Sequence, residues 1–432
     1  MLRGLLIRGL VVAGLPVAFL WPFGGLLFYL WYSHGRPNDY VFGAYQFDNG
    51  ALLIAVTTLV GYFLFELRRS PPRLRGLRIL TLFWLWIALA TLLATDFDLA
   101  LPKLSQYSHI FLITFLIAAM ANSESRIRSL LYVMGGSIGF IGAKGAFDFI
   151  ITRGQFTAHG SGGLMHEENE YALALNMAIP ILIGLARIQP HRWARWMLQA
   201  GAVGCAITVI ATRSRSGLLG LVLAILLLTF YSRRKVMGIA TLVLAGILFL
   251  KFAPSASIER YETIPTAAEN DQSMIGRFEA WKTALGMVRA HPFFGVGPLN
   301  FELNFSQYSQ YSVRAPHNAF IALSAESGVP SCLLFCALIG SAIAEMWWLR
   351  RRIVHNHDDS PLATYCLIIQ MVLTVYIIPN LFINRQNQDL MYHLIGVSVG
   401  LATVVRRKLT EETPPQGEEL LPEVIVAEPV SP

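Results

Sequence analysis

Charge is scarce in this chain. Only 14% of its 432 residues are Asp, Glu, Lys or Arg, where a soluble domain carries about 25%. This deficit excludes an ordinary water-soluble protein, and the excess that replaces it is apolar: 54% of the residues are hydrophobic and the mean hydropathy is +0.51. Cysteine is also sparse. Cys205, Cys332, Cys336 and Cys366 all lie inside apolar runs, which excludes a disulfide framework in the polar loops. No internal repeat marks the paired broken helices common in transporters. The formal charge of +7 follows from loop topology, and no basic footprint for nucleic acid is present.

Apolar runs of about 17–25 residues recur along the length, the pattern of helices that cross a bilayer. The expected fold is all-α: a polytopic integral membrane protein with about twelve transmembrane helices. The spans fall near 9–32, 48–67, 79–95, 104–121, 128–151, 169–186, 196–212, 216–231, 236–252, 317–348, 361–381 and 390–405. Pro16 and Pro22 allow the first to be two shorter pieces. Residues 1–252 form an N-terminal bundle of about nine spans, 253–316 a large loop between spans 9 and 10, and 317–408 the C-terminal helices. Residues 409–432 are acidic and proline-bearing, the composition of a disordered tail.

Lys/Arg bias sets the orientation. Arg68, Arg69, Arg73, Arg75 and Arg78 share one side with Arg126 and Arg128, with Arg187, Arg192 and Arg195, and with the clusters at 233–235, 350–352 and 406–408. With twelve spans that side is cytoplasmic and holds both termini, Arg3 and Arg8 included. The segments 96–98, 152–168, 213–215, 253–316 and 384–389 then lie on the opposite, extracytoplasmic face.

The residues suited to chemistry gather on that face. Arg213-Ser214-Arg215-Ser216-Gly217 occupies a tight turn at the lip of the bilayer, where cations break the positive-inside trend. The guanidinium fork suits phosphate oxygens, although an ion-paired helix end would also account for either arginine. Ser216-Gly217 opens the backbone beside Arg215, which favours that residue. In the loop, 275–290 has the period of an amphipathic helix with Phe278, Trp281, Leu285 and Val288 on its apolar face. Arg277 sits near its N-terminus, where the helix dipole favours an anion; Lys282 and Arg289 face headgroups. His291 caps the helix, and Gly295 and Gly297 shape the turn that follows.

Arg314-Ala315-Pro316-His317-Asn318 comes next. Pro316 suits a first helical turn, which places His317 at a helix start, where neutral imidazole, the form of a general base, is favoured. Asn318 orients it or caps the helix. Glu326 within the span pairs with an arginine or orients His317. Lys144 inside a span is an anion contact or a member of an ion pair. Asn169 lines the cavity or meets sugar hydroxyls. The run Met165-His166-Glu167-Glu168 matches no strong metal-ligand spacing.

These motifs, in this order and sidedness, resemble the O-antigen ligase/polymerase superfamily: Ser214-Arg215-Ser216-Gly217, Gly276-Arg277 with Trp281, His291-Pro292 with Gly295-Val296-Gly297, and Pro316-His317-Asn318 with Glu326-Ser327-Gly328. Trp21-Pro22-Phe23-Gly24, Lys144-Gly145 and Asn169-Glu170-Tyr171 resemble the O-glycosylation ligase subgroup of exosortase-type exopolysaccharide systems. Pro330 and Glu168 depart from the usual pattern. The resemblance implies a metal-independent, cofactor-free glycosyltransferase of the bacterial inner membrane. It would pass a glycan from undecaprenyl diphosphate to an acceptor hydroxyl on a lipid, glycan or protein. His317 would be the base, Arg215 and Arg277 the diphosphate clamp. Arg213, Asn169, Lys144, Trp281, Arg314, Asn318 and Glu326 would contact substrate. A polymerase of the same superfamily is the alternative, a transporter of lipid-linked sugars or a non-catalytic scaffold the more distant ones.

Overall fold

The structure is a computed structural model that describes residues 2–41, 49–71, 74–158, 167–232, 235–236, 238, 240, 272–356 and 360–411. Among these, all regular structure is helical. The helices are α1 (Leu2–Leu20), α2 (Pro22–Gly35), α3 (Gly50–Gly61), α4 (Arg78–Leu92), α5 (Phe97–Met120), α6 (Glu124–Ile151), α7 (Glu168–Ile188), α8 (Arg192–Ala211), α9 (Arg215–Phe230), α10 (Gln272–Ala290), α11 (Phe301–Tyr308), α12 (Ala319–Asn356), α13 (Pro361–Ile377) and α14 (Asp389–Glu411). Eight helices are long and apolar enough to cross a membrane, and three shorter apolar ones accompany them. The chain is therefore a multi-pass membrane protein. The expected ninth span, 236–252, lies almost wholly outside the described residues, as do the acidic tail and the first part of the long loop.

The first apolar stretch is two helices, not one. Trp21 leaves helical dihedrals (φ −127°, ψ 79°) and Pro22 opens α2, at the position where a missing N–H costs nothing. α1 and α2 fold back on each other, so that Val11, Tyr32 and Ile54 of α3 share one buried cluster. α2 runs from Phe23, whose ring lies 4.7 Å from the Arg126 guanidinium, to Ser33 and His34, which meet Asp389 and His393 of α14. The hairpin therefore carries Arg3 back to the end of the bundle that holds Gly35. This corrects the expectation that both chain ends share the arginine-rich side.

That arginine-rich end is held by local pairs. Arg126 reaches Glu66 at 2.6 Å, Arg128 donates to the Tyr365 hydroxyl, and Arg406 pairs with Glu345 at 2.7 Å. At the other end the motif-bearing segments close on one another. Asp96 caps α5 by accepting from the Leu99 N–H, and its own N–H donates to Asn300 Oδ1 at 2.7 Å. Ala158 N–H donates to Ala211 O, and Arg385 forms an ion pair with Glu170. Between the ends, α7 and α14 are the most enclosed of the spanning helices. An aromatic cluster of Phe83, Tyr107, Phe111, Phe335 and Tyr392 packs beside them.

α12 is broken. Gly328 has φ 81° and ψ 163°, a region open in practice to glycine alone. The break frees carbonyls that a continuous helix would use. Ala325 O accepts from Val296 N–H at 2.9 Å and Glu326 O from Gly297 N–H at 2.8 Å, while Val329 N–H donates to Pro292 O. Trp86 adds its indole N–H to Ser327 O and stacks on Phe294. Pro330 stands in the first turn after the break, where it forfeits no helical bond. The half-helix that follows His317 is thus locked to the Gly/Pro turn by backbone pairing.

Candidate functional site

The Ser-Arg-Ser turn is built by serine and asparagine. Ser214 caps α9, accepting from Gly217 N–H at 2.9 Å. Both serine hydroxyls also donate to Asn169 Oδ1, at 2.5 Å from Ser214 and 3.1 Å from Ser216. Asn176 Nδ2 donates to Gly217 O at 2.7 Å, so α7 grips the first turn of α9 twice. A Cβ on Gly217 would stand 2.6 Å from Cβ of Ala172. Gly217 serves this close helix packing rather than the approach of a ligand, which changes the meaning of that glycine. Asn169, expected to line the cavity or meet sugar hydroxyls, accepts from the two serines that bracket Arg215. Arg213 carries φ 56°, an uncommon state for a side chain other than glycine. It ends α8 and turns the chain back into α9.

α10 supplies the second wall through its small residues. Ala280, Ala284 and Met287 are buried against Val296, Phe301, Phe305 and Ala325. Phe278 and Leu285 are 42% and 48% exposed and line an open groove of about 480 Å³ with Ile275, Glu279, Trp281 and Lys282. The small residues win the core because they let α10 sit close on the broken half of α12. Trp281 faces the groove yet donates its indole N–H to Pro316 O at 2.6 Å. This bond ties α10 to the turn that carries His317. Arg277 lies one turn earlier, and the Arg314 side chain packs over the neighbouring Gly276, so two arginines converge beside His317. Lys282 pairs with Glu279, and His291 is exposed at the end of the helix.

Asn318, not Pro316, begins α12. Its Oδ1 accepts from the N–H groups of Phe320 and Ile321, both at 3.0 Å, an asparagine N-cap. Pro316 and His317 precede the helix, and His317 holds φ 41°. Burial, and after it the Arg277 cation, lowers the His317 imidazole from its ordinary 6.5, against the opposing pull of Glu167 and Glu302. Neutral imidazole was expected here from the helix terminus; the principal cause is burial.

Two expected partnerships differ. Glu326 takes a hydrogen bond from the Leu299 backbone and lies in electrostatic reach of Lys103, in place of an arginine or His317. Lys144 is exposed on α6 and pairs with Asp148 at 3.2 Å, the ion-pair reading. Among the described residues no three His, Cys, Asp or Glu side chains are grouped to hold a metal; His166 lies outside them.

Several contributors escaped the sequence. Lys103 of α5 acts on both Glu326 and Arg385. Glu170, paired with Arg385, also reaches back to the Glu167 N–H in a capping box. Glu167 influences both His317 and Arg385, and so joins the two polar regions. Each of these is a single charge in a short segment, whose partner comes from a distant span; no local motif announces it.

The family model described as O-Antigen ligase matches residues 200–336. The match runs from the middle of α8 to just beyond the break in α12 and takes in Arg215, Arg277, His317 and Gly328. It covers under half of the chain, leaving out Asn169 and Arg385. None of the curated proteins compared with the chain matches it. Helical architecture and match together define a membrane protein similar to O-antigen ligases and polymerases, the class that transfers glycans between carriers.

Proposed function

We propose that this protein is a glycosyltransferase acting at the periplasmic face of the bacterial inner membrane. It takes a glycan from undecaprenyl diphosphate and passes it to an acceptor hydroxyl. The observation that carries the reading is the convergence on His317: a half-buried imidazole beside Arg277, on a turn that Trp281 holds in place. A sugar leaving a lipid diphosphate sheds an anionic group, which positioned guanidiniums stabilise as its charge develops. Arg215 and Arg277 supply that stabilisation, with Arg213 and Arg314 beside them. His317, neutral and next to these cations, removes the proton of the attacking hydroxyl. The proton moves to its free ring nitrogen as the new C–O bond forms and the bond to the diphosphate oxygen breaks. Asn169 positions the Arg215 turn and Asn318 fixes the base by capping α12.

The clamp is tested by equilibrium binding of a lipid-diphosphate-linked glycan to full-length protein. Arg215→Ala with Arg277→Ala is expected to abolish binding, and undiminished affinity contradicts the clamp. A deletion strain separates the two forms of the reaction. Complete unattached chains on the carrier are expected of a ligase, and accumulated single repeat units of a polymerase.

A further inference from the structure

Beside this site lies a second polar region that the transfer chemistry does not use. Residues 384–389 read Asn-Arg-Gln-Asn-Gln-Asp and connect α13 to α14. Their backbone is pinned: the Tyr376 hydroxyl donates to Arg385 O, the Tyr392 hydroxyl donates to Gln386 O, and Arg385 N–H donates to Asn380 Oδ1. Several of their side-chain oxygens are not. Gln386, Asn387 and Gln388 are 1%, 1% and 3% exposed, yet the carboxamide oxygen of each has no hydrogen-bond partner, and neither has Asp389 Oδ1 or His393 Nε2. Each buried polar atom left without a partner costs about 1–3 kcal/mol, and folded proteins keep only a few. A well-anchored segment that concentrates them is built for partners from outside the chain.

The surroundings say which partners. The end of α2 forms one wall, with Ser33 Oγ donating to Asp389 Oδ2 at 3.4 Å and His34 at 3.1 Å from His393. Arg385, paired with Glu170 of α7, forms the other. Arg385 and Arg36 disfavour a metal cation among these oxygens, and Asp389 and Glu170 disfavour an anion. What remains is a neutral ligand whose groups both donate and accept, as hydroxyls do and as carboxamides and carboxylates recognise. Glu167, in electrostatic reach of both Arg385 and His317, places this region next to the proposed reaction centre.

We propose that residues 386–389, with His393 and the end of α2, form a hydroxyl-recognition subsite for a sugar ring of the glycan. This assignment rests on the transfer reading for the identity of its ligand. The sugar belongs either to the donor or to the acceptor, and kinetics distinguish them.

The test uses full-length protein in lipid nanodiscs and the glycan released by mild acid from the cell's lipid-linked pool. Hydrogen exchange on the wild-type protein is expected to slow at 382–393 and 29–36 when this glycan is added. The near-isosteric pair Gln386→Met with Gln388→Met should weaken its binding by about ten-fold, the loss of one or two hydrogen bonds. The same pair should raise KM for one substrate only: the donor if the subsite holds the transferred glycan, the acceptor if it holds the accepting one. Exchange unaltered by glycan, or protection produced equally by sodium or calcium ions alone, overturns the subsite. So does a folded double variant with unchanged binding and unchanged KM values. Glycan protection without any transfer by the wild type overturns the transfer reading and leaves the subsite standing.

Discussion

At the residue scale His317 titrates beside the Arg277 cation, and the sign of that influence is open to measurement. Protonating His317 beside Arg277 brings two cations together, so Arg277 opposes protonation. In the proposed reaction the base is neutral imidazole, so rate should fall as pH drops through the lowered value of His317. Arg277→Gln removes the opposing cation. Its His317 should protonate at a higher pH, and the acid limb of kcat against pH should shift upward. A limb that stays in place contradicts the pairing. Asn169 gives a second residue-scale prediction. Asn169→Asp keeps an acceptor for Ser214 and Ser216 and should retain donor binding, whereas Asn169→Leu should weaken it by about ten-fold. Equal loss in both variants would instead point to Asn169 touching the ligand. That Asn318 could cap the helix and that Arg277 and His317 lie on one face was legible from motif and turn chemistry. Lys103 and Arg385 were not, since their significance comes from partners brought over from other spans.

Two helices do more at the element scale than cross a membrane. α12 reads as one span from its apolar residues on either side of Glu326-Ser327-Gly328 and Pro330, which mark the break. The break follows from backbone geometry: a Cβ there would stand 1.8 Å from Phe293 O. Gly328→Ala should therefore destabilise the protein by at least the ~1–3 kcal/mol of a strained backbone, measured as a fall in the unfolding midpoint in detergent. An unchanged midpoint would mean that the turn at 292–297 does not depend on the break. α10 teaches the reverse lesson. Periodicity located the helix and its apolar face but did not say what packs inside; close packing against α12 selects Ala280 and Ala284, with Val288 beside them. Trp281 is left on the groove side with one anchoring bond. Trp281→Phe should lower kcat with little change in the unfolding midpoint, because it frees the His317 turn without opening the core. A normal kcat in that variant would remove α10 from the positioning of the base.

At the scale of the whole molecule, the bilayer explains why so much was readable. Every spanning backbone must satisfy itself, so apolar length alone reports most helices. The first stretch stayed open between one span and two because its apolar run of 9–32 continues across the bend that Trp21 and Pro22 make. The hairpin makes a topological prediction: a cysteine replacing Arg3 should react with a membrane-impermeant thiol reagent added to the face that holds His317, and one replacing Arg406 should not. Reaction of both from the same face would contradict the fold-back of α1 on α2. The same architecture brings the turns at 169, 214, 277, 317 and 385 together from five separate stretches of chain, the juxtaposition on which the proposed transfer site rests. The most direct test of that account is single-turnover transfer by the purified full-length protein, with an undecaprenyl-diphosphate-linked glycan and its acceptor. The wild type should form the glycosidic product, and His317→Ala, folded and still binding donor, should form it slower by about 10²–10⁴-fold, the usual contribution of a general base. Product formed at the wild-type rate by His317→Ala would contradict it.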